Sequence, residues 1–331
     1  MVNIDIGIDL GTSNTVIYIK DKGIVVNQPS VVAYEAKSKK IIGNKAKKML
    51  GKTPEDIEVT RPIRNGVISD YIMTERMLKI YVKSAIAKRK IWGKPNICVC
   101  VPSGVTDVQR RAACDAVYRT GAKNVYVLEE PFAAAIGAGV DIESAVGAMV
   151  VDIGAGTTDI AIVARGGVQH SSSIKIGGDD FDEAIIRYMR KRHNVLLGES
   201  SAEQLKKDIG SVYPREQDAI GYARGKELVR GLPTKMAVKS SEMIEACQEE
   251  TDQILDSVRE MLEAAPPELV SDISEHGIIL AGGGSKIFGM DKLIMDKIGV
   301  PVVNIKNPDQ VVATGAGTAH YYIKDGRTLE E

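Results

Sequence analysis

Two stretches of the sequence, residues 6–17 and residues 149–160, repeat one design. Each begins with an apolar, β-branched run and reaches an aspartate. Each then passes through a turn of glycine and hydroxyl residues and leaves as a second apolar run. Such runs predict β-strands, so each copy is expected to form strand, turn and strand. Two copies of one unit predict a duplicated molecule with a cleft between its halves.

The remainder of the chain alternates predicted strands with predicted helices, which is typical of an α/β fold. Apolar residues at helical spacing predict a helix over residues 74–89 in the first half. In the second half they predict one helix over residues 179–192, capped by Asp179 or Asp180, and a long one over residues 241–264. At 331 residues the length is typical of about two domains.

Composition excludes several classes of protein. Lys and Arg total 43 against 44 Asp and Glu, so no large basic field is available for a nucleic-acid partner. The four cysteines are irregularly spaced, and with only four histidines they favour neither a disulfide framework nor a zinc cluster. The chain has no run of 18 apolar residues and no signal-peptide pattern at its start. We therefore expect a cytoplasmic protein.

The two repeated turns have the composition of phosphate-binding loops. Glycine lets backbone N–H groups approach an anion closely, and two such turns facing each other can hold the β- and γ-phosphates of a nucleotide. Neither turn contains a lysine, so a metal must share in neutralising the phosphates. The candidate binding residues are Gly11, Thr12, Ser13, Asn14, Gly154, Ala155, Gly156 and Thr158.

Asp9 and Asp152 stand at equivalent places, each just before its turn. Alone, either aspartate is more typical of a turn or a helix cap. Their pairing within the repeat favours a metal site instead. Mg²⁺ needs only one or two carboxylates beside phosphate oxygens and water, so this pair is sufficient.

A third glycine cluster could lie flat against a nucleoside, although glycine triplets also form plain turns. It comprises Gly282, Gly283, Gly284 and Ser285. A helix predicted to begin with a capping box of Ser201 and Gln204 carries Glu203 and Lys206 three residues apart. The latter two are candidates for an adenosine clamp, and the alternative is a surface ion pair.

Glu130 lies where a strand ends and a helix begins, a usual place for functional groups in α/β folds. A carboxylate there could orient the water that attacks the γ-phosphate. Thr157, in the second turn, could hydrogen-bond that water or a γ-phosphate oxygen.

Taken together these residues resemble the actin, sugar-kinase and heat-shock-chaperone ATPase superfamily, and within it the chain is similar to the MreB/Mbl family. The phosphate loops match at residues 7–15 and 152–159, and the adenosine loop at residues 282–284. Residues 61–70 and 129–137 resemble the MreB/Mbl family more particularly.

The resemblance implies an α/β, actin-like ATPase fold of two duplicated ribonuclease-H-like domains around a nucleotide cleft. The domains are expected over residues 1–145 and 146–331. Each carries a smaller subdomain, over about residues 30–95 and about residues 180–245.

The resemblance also implies a function. ATP with Mg²⁺ is the expected ligand, Glu130 and Thr157 take the hydrolytic positions, and Glu203 and Lys206 lie on the adenosine-contacting helix. Head-to-tail protofilaments are expected to pair antiparallel through the helix that begins near Val108. They would lie on the inner membrane surface, where they organise the cell-wall synthesis machinery and maintain cell shape.

Membrane attachment in this family uses an N-terminal amphipathic helix or an apolar loop. Too few residues precede Ile4 for such a helix, which leaves Ile91 and Trp92, flanked by basic residues, as the candidate anchor. The alternative is a buried tryptophan that caps the preceding helix, and the sequence favours neither.

Two rival functions use the same cleft. A chaperone-type or regulatory ATPase would drive a client-binding module, and we expect none after Glu331. A small-metabolite kinase would transfer phosphate to a hydroxyl group, but the sequence contains no clear sugar-binding set. Phosphate release without an acceptor, together with sedimentable filaments, separates the cytoskeletal hypothesis from both.

Overall fold

The structure, a computed structural model, describes residues 4–35, 41–53, 57–89 and 93–319. The predicted membrane anchor, Ile91 and Trp92, lies outside these described residues. Within the described part of the chain, no helix combines the length and the apolar character needed to cross a bilayer.

The first half of the chain forms ten strands and four helices among the described residues. The strands are β1 (Ile6–Leu10), β2 (Asn14–Ile19), β3 (Gly23–Pro29), β4 (Val32–Glu35), β5 (Ile41–Ile42), β6 (Ile57–Thr60), β7 (Ile63–Arg64), β8 (Val67–Ile68), β9 (Asn96–Val101) and β10 (Asn124–Glu129). The helices are α1 (Asn44–Lys47), α2 (Tyr71–Arg89), α3 (Asp107–Tyr118) and α4 (Glu130–Gly137).

The second half forms eight strands and seven α-helices among the described residues. The strands are β11 (Ala148–Ile153), β12 (Thr158–Ala164), β13 (Gly167–Ile174), β14 (Val195–Leu196), β15 (Ile220–Glu227), β16 (Pro233–Lys239), β17 (Ile278–Ala281) and β18 (Val302–Asn304). The helices are α5 (Gly178–His193), α6 (Glu199–Ile209), α7 (Ser240–Ala246), α8 (Gln248–Ala264), α9 (Pro267–His276), α10 (Met290–Ile298) and α11 (Val311–Thr318).

The two large sheets have the same topology. Their strand orders are β3-β2-β1-β9-β10 and β13-β12-β11-β17-β18, which correspond position for position. In each, the strand before the repeated turn pairs antiparallel with the strand after it and parallel with a later strand. The duplication predicted from two short motifs therefore extends through a whole five-stranded sheet.

Two helices, α4 and α11, lie between the sheets. Apolar residues from both sheets and both helices form one core there, including Cys98, Ala134, Val150 and Ala316. The two helices approach closely, because a Cβ atom at Gly315 would lie 1.7 Å from the carbonyl oxygen of Ala133. Although α11 belongs to the second half in sequence, it packs on β1 and α4 of the first half.

Each half also carries a small sheet beside its large one. In the first half, β5, β4 and β6 pack with α1 around a small core of Val31, Ala33 and Ala46. In the second half, β14, β15 and β16 pack against α6, and Leu205 and Ala223 join the main core of that half. The helices packed on these sheets are joined by an ion pair between Lys47 on α1 and Glu203 on α6.

Two details of the helix predictions are wrong. The helix predicted over residues 241–264 is two helices, because Cys247, with φ −100° and ψ 8°, ends α7 and begins α8. Neither Asp179 nor Asp180 occupies the N-cap of α5, which is Gly177. Asp180 lies in the first turn of α5, and its carboxylate accepts a hydrogen bond from the backbone N–H of Gly177 at 2.7 Å.

Candidate functional site

The first turn joins β1 to β2 and is held from behind by hydrogen bonds. The Ser30 hydroxyl donates to the carbonyl oxygen of Gly11 at 2.7 Å, and the Ser30 N–H donates to that of Ser13 at 2.9 Å. Position 11 has no room for a side chain, since a Cβ atom would lie 2.8 Å from the carbonyl oxygen of Asn14. The turn lines the central cavity with Gly11, Thr12, Ser13 and Asn14.

The second turn joins β11 to β12 and is held by the start of α5. The N–H groups of Gly178 and Asp179 donate to the carbonyl oxygens of Gly154 and Ala155 at 3.0 and 2.8 Å. A Cβ atom at Gly177 would lie 2.5 Å from the Ala155 oxygen, so the helix start requires glycine there. This turn lines the same cavity with Gly154, Ala155, Gly156 and Thr157.

The two turns meet across the cleft. A Cβ atom at Gly156 would lie 2.9 Å from the Cα of Asn65 and 3.0 Å from the Thr12 hydroxyl oxygen. That hydroxyl accepts the backbone N–H of Gly66 at 2.8 Å. Glycine in the second turn therefore permits close contact with the first half.

The third glycine turn follows β17 and lies against the second turn. Gly282 has φ +84°, and a Cβ atom there would lie 2.2 Å from the carbonyl oxygen of Ile153 and 2.4 Å from a carboxylate oxygen of Asp152. Only glycine fits both the backbone conformation and the space. Gly284 is also crowded, with a virtual Cβ 2.6 Å from a methyl carbon of Ile153.

The three turns enclose one cavity of about 740 Å³, within the range of ~300–1,000 Å³ usual for ligand sites. All of the predicted site residues line it except Thr158 and Ser285. The Thr158 hydroxyl donates to the carbonyl oxygen of Ile176 at 2.8 Å, and the Ser285 hydroxyl donates to that of Gly282 at 2.7 Å. Both hydroxyls hold the backbone of the turns in place.

The predicted adenosine clamp, Glu203 and Lys206, lines the cavity, and each side chain pairs elsewhere. Glu203 is 2.7 Å from Lys47 and 2.6 Å from Lys207. Burial alone would raise the pKa of Glu203, but the hydrogen bonds from Lys207 and Lys47 outweigh it and lower the pKa to about 2. Lys206 pairs with Asp182 at 2.9 Å. The alternative of a Glu203–Lys206 surface pair is therefore wrong.

The predicted capping box at the start of this helix is also wrong. The helix α6 begins at Glu199 with Gly198 as its N-cap, so Ser201 lies inside the helix. The side chain of Gln204 donates to Asp208 at 2.7 Å.

The sequence analysis did not identify Arg215 and Phe288, which form one wall of the cavity. The guanidinium carbon of Arg215 lies 3.7 Å from the centroid of the Phe288 ring, and both residues line the cavity. Arg215 also donates to the carbonyl oxygen of Gly210 at 3.2 Å. A flat cation stacked on an aromatic ring is a suitable neighbour for a purine base. The two residues are far apart in sequence and belong to no motif, so no sequence signal identifies them.

Two of the carboxylates in the cavity wall, Glu130 and Asp152, are buried, and the carboxylate of Asp9 beside them is half-buried. Burial, with a contribution from the charge of Asp309, raises the pKa of Asp9 to about 7. Burial raises the pKa of Glu130 and of Asp152 well above the ordinary value, and neighbouring carboxylates add to both shifts. Such a cluster would repel a polyphosphate unless a cation accompanied it.

The donor set fits Mg²⁺. Asp9 and Asp152 are hard oxygen ligands at the inner ends of the two turns, one from each half. Among the described residues, no group of three or more acidic, histidine or cysteine side chains is arranged to hold an ion by itself.

The two candidate hydrolytic residues come from opposite halves. Glu130 is the first residue of α4, and Thr157 immediately precedes β12. Both are buried and both line the cavity. A reaction that needs both requires the two halves to be held together.

Comparison with known proteins gives consistent matches along the chain. Residues 3–328 match the family described as MreB/Mbl protein. The chain is 46% identical over 325 residues to the cell shape-determining protein MreB of Escherichia coli K12, which covers 96% of this chain and 94% of the relative.

Two solved structures resemble the molecule along most of its length. MreB5 of Spiroplasma citri bound to ADP has a TM-score of 0.90 at 36% identity, covering 96% of both chains. A MamK double helical filament has a TM-score of 0.81 at 24% identity, covering 96% of this chain and 98% of that one. The predicted actin-like fold is confirmed by these overlaps.

Proposed function

The chain belongs to the MreB/Mbl family, and from that premise we propose that it is an actin-like cytoskeletal protein that binds and hydrolyses ATP, forms filaments and determines cell shape. One observation carries the proposal: three glycine turns from both halves converge on one cavity whose wall contains buried carboxylates. ADP in the related MreB5 supports a nucleotide as the occupant.

The cavity suits the two ends of ATP differently. The first two turns would present backbone N–H groups and hydroxyls to the phosphates, while Asp9 and Asp152 would hold Mg²⁺. When bound, this ion neutralises part of the phosphate charge. At the other end, Glu203, Lys206 and the third turn would hold the adenosine, with the base near the stacked Arg215 and Phe288.

Hydrolysis would use one residue from each half. Glu130 would orient a water in line with the γ-phosphorus, since catalysis of phosphoryl transfer is mostly positioning and electrostatic stabilisation. Thr157 would hydrogen-bond the same water from the opposite half. ATP would thereby favour a closed shape, and hydrolysis would relax it.

Assembly would proceed head to tail between copies of the chain, because a heterologous contact that does not close on itself generates an open filament. The MamK filament is a structural relative consistent with this arrangement. We propose the division into residues 1–145 and 146–331 as the two actin-like domains of each subunit. Val108, 77% exposed at the start of α3, is our candidate contact for antiparallel pairing of protofilaments.

The filaments would lie on the cytoplasmic face of the inner membrane, and Ile91 and Trp92 are the candidate anchor. There they would organise the cell-wall synthesis machinery. Basic residues flank this pair in the sequence, and each could contribute about 1 kcal/mol at an anionic surface.

Phosphate release and sedimentation with Mg²⁺-ATP, without any added acceptor, test the proposal together. We expect the protein to release phosphate from ATP and to sediment as filaments. Phosphate transfer only when a small hydroxyl compound is added would favour a kinase. Single particles under all conditions would contradict filament formation.

Lipid attachment needs its own measurement. Co-flotation with anionic vesicles should fall several-fold for Trp92→Ala, with zwitterionic vesicles as the control. Equal flotation of both proteins would contradict the proposed anchor.

A further inference from the structure

The small sheet of the second half has a basic outer face. Gly221 on β15 points toward α6, because a Cβ atom there would lie 3.0 Å from the side chains of Leu205 and Ile209. Successive residues of a strand point to opposite faces, so the residues on either side of Gly221 point away from α6. Along β15 these outward residues are Ile220, Tyr222, Arg224 and Lys226, and opposite them on β16 lie Lys239, Ala237, Lys235 and Pro233. All eight are exposed.

Four of these eight outward residues are cations and none is an acid. The carboxylates at the edges of the sheet have other partners. Glu227 pairs with Arg230 at 3.0 Å, and Asp218 accepts a hydrogen bond from the Ser241 hydroxyl at 3.0 Å. The whole chain is nearly neutral, with 43 basic and 44 acidic residues, so charge is segregated on this face. Such a face attracts an acidic surface.

An acidic surface of matching length lies on α8. Five exposed carboxylates follow one another along this helix three or four residues apart, namely Glu249, Asp252, Asp256, Glu260 and Glu263. Residues at this spacing share one face of a helix, so the five form a stripe. From Glu249 to Glu263 the stripe is about 21 Å long, at a rise of ~1.5 Å per residue. From Ile220 to Lys226 the basic face is about 20 Å long, at ~3.4 Å per residue.

The two surfaces lie on different parts of the molecule. The helix α8 packs on β12 and β13 of the large sheet, whereas the basic face belongs to the small sheet and is turned away from α6. A contact between two unlike surfaces of neighbouring copies is heterologous. When it does not close on itself it generates an open filament.

We propose that the basic face of β15 and β16 docks on the acidic stripe of α8 in the next copy of the chain. The inference rests on the proposed assembly into filaments and names two surfaces that make a contact there. Attraction between complementary charges speeds association and selects the partner. Because both surfaces are exposed, salt should weaken the contact.

Charge reversal on each surface is the direct test. Arg224→Glu/Lys235→Glu makes the centre of the sheet face acidic. Asp252→Lys/Glu260→Lys makes the α8 stripe basic, and leaves Asp256 in its ion pair with Arg259. We expect each variant alone to raise the critical concentration for sedimentation with Mg²⁺-ATP at least tenfold. The melting temperatures should stay close to that of the wild type, since the replaced side chains are exposed.

An equimolar mixture of the two variants tests whether these surfaces meet each other. In the mixture an acidic sheet face can dock on a basic α8, and an unchanged sheet face can dock on an unchanged α8. We expect the mixture to sediment at about the wild-type critical concentration, which would also show that both variants fold. If two folded variants fail to assemble when mixed, the proposed pairing is wrong.

Lys83→Glu/Lys123→Glu is the matched control, because it changes the net charge by the same amount at exposed positions of the first half. Its critical concentration should stay within twofold of the wild-type value. For the wild type the critical concentration should rise several-fold between ~0.05 and ~0.5 M salt, because the screening length shortens. A wild-type value that does not depend on salt would contradict a contact between charged surfaces.

The outcomes separate this inference from the proposed function. Equal critical concentrations for the wild type and both reversal variants overturn the docking contact and leave the proposed assembly standing. No wild-type filaments under any condition overturns both. Unchanged sedimentation of the sheet variant, beside lost flotation on anionic vesicles, assigns the basic face to lipid and overturns the contact. If a reversal variant does not fold, the neutral Arg224→Gln/Lys235→Gln decides: a rise of at least threefold supports the contact, and the wild-type value overturns it.

Discussion

The two phosphate turns share a design but differ in what supports them. The first is braced by the side chain and backbone of Ser30, whereas the second is braced by the start of α5 and covered by the third glycine turn. The large sheets beneath them have identical strand orders. In the function that we propose, duplication would supply a symmetrical grip on the phosphates. The chemistry would come from parts that differ between the halves: Glu130 from one, and Thr157 with the base-binding wall from the other.

If the second turn depends on the third, replacing Gly282 should have the largest effect. Gly282→Val places a branched side chain at φ +84° against the backbone of Ile153. We expect a loss of at least ~3 kcal/mol in the free energy of unfolding and loss of nucleotide binding. Thermal melting and titration with a fluorescent ATP analogue measure both.

Gly283→Ala is the control for that substitution. The nearest atom to its virtual Cβ is 3.9 Å away, on Asp309, and its φ is −70°. We expect the free energy of unfolding to change by less than about 0.5 kcal/mol. Comparable losses for the two variants would mean that crowding at Gly282 is not what holds the second turn.

Removing one hydrolytic residue at a time should separate the contributions of the halves. Glu130→Ala should reduce kcat at least ~100-fold, and Thr157→Ala about tenfold, since only the first loses the carboxylate that orients the water. Nucleotide affinity should change by less than fivefold in both. Single-turnover phosphate release and equilibrium titration provide the two values. A larger kcat loss for Thr157→Ala would reverse the assignment of roles.

The two aspartates at the turns should make the protein without ligand less stable as pH rises. In the folded state burial raises the pKa of Asp9 to about 7, whereas in the unfolded chain it is about 4. Between these values unfolding releases a proton, so this group lowers stability progressively from about pH 4 to pH 7. Asp9→Asn should therefore melt at least ~2 °C higher at pH 8 without nucleotide, with no difference below pH 4.

With Mg²⁺-ATP the order of melting temperatures should reverse, because an uncharged amide in place of the Asp9 carboxylate is a poorer ligand for the ion. Differential scanning fluorimetry across pH, with and without Mg²⁺-ATP, tests both statements. A lower melting temperature for the ligand-free Asp9→Asn variant at pH 8 would contradict the account of the buried carboxylates.

The ion pair between α1 and α6 should have the smallest effect. Lys47→Ala removes a 2.7 Å contact of Glu203 with the first half but leaves Lys207 in place. We expect this ion pair to stabilise the closed cleft by about 1 kcal/mol or less. Its loss should make nucleotide release a few-fold faster in stopped-flow measurements at low salt.

Arg259→Ala serves as the control, because it removes an exposed ion pair with Asp256 within α8. Its release rate should equal that of the wild type. If both variants release nucleotide at the wild-type rate, Lys47 contributes nothing to holding the cleft closed.

Sequence reasoning predicted the parts of the site that lie within continuous motifs. The aspartates, the glycine turns and Glu130 each sit at a junction of strand and turn or of strand and helix, where spacing carries the information. It missed Arg215 and Phe288, which come together only through tertiary packing. The contact of Ser103 with Asp159 was missed for the same reason, since it joins the turn after β9 in one half to β12 in the other.

For the fold as well, features with a local sequence signal were predicted and features that depend on tertiary contacts were not. Amphipathic helices and β-branched strands were located to within a few residues, whereas the β15–β16 hairpin was not predicted. Its residues include Gly221, Arg224, Gly225 and Lys226, which lack the β-branched side chains that indicate strands. The packing of α11 on the first half also has no local signal, because it depends on small residues meeting Ala133 and neighbouring backbone.

Isothermal titration calorimetry tests the central claim most directly: one Mg²⁺-triphosphate is held by turns from both halves. Wild-type protein should bind one ATP with an affinity that depends on Mg²⁺. Asp9→Ala and Asp152→Ala, one in each half, should each weaken that affinity at least tenfold. Binding that persists unchanged without Mg²⁺, or in the double variant, would contradict the claim.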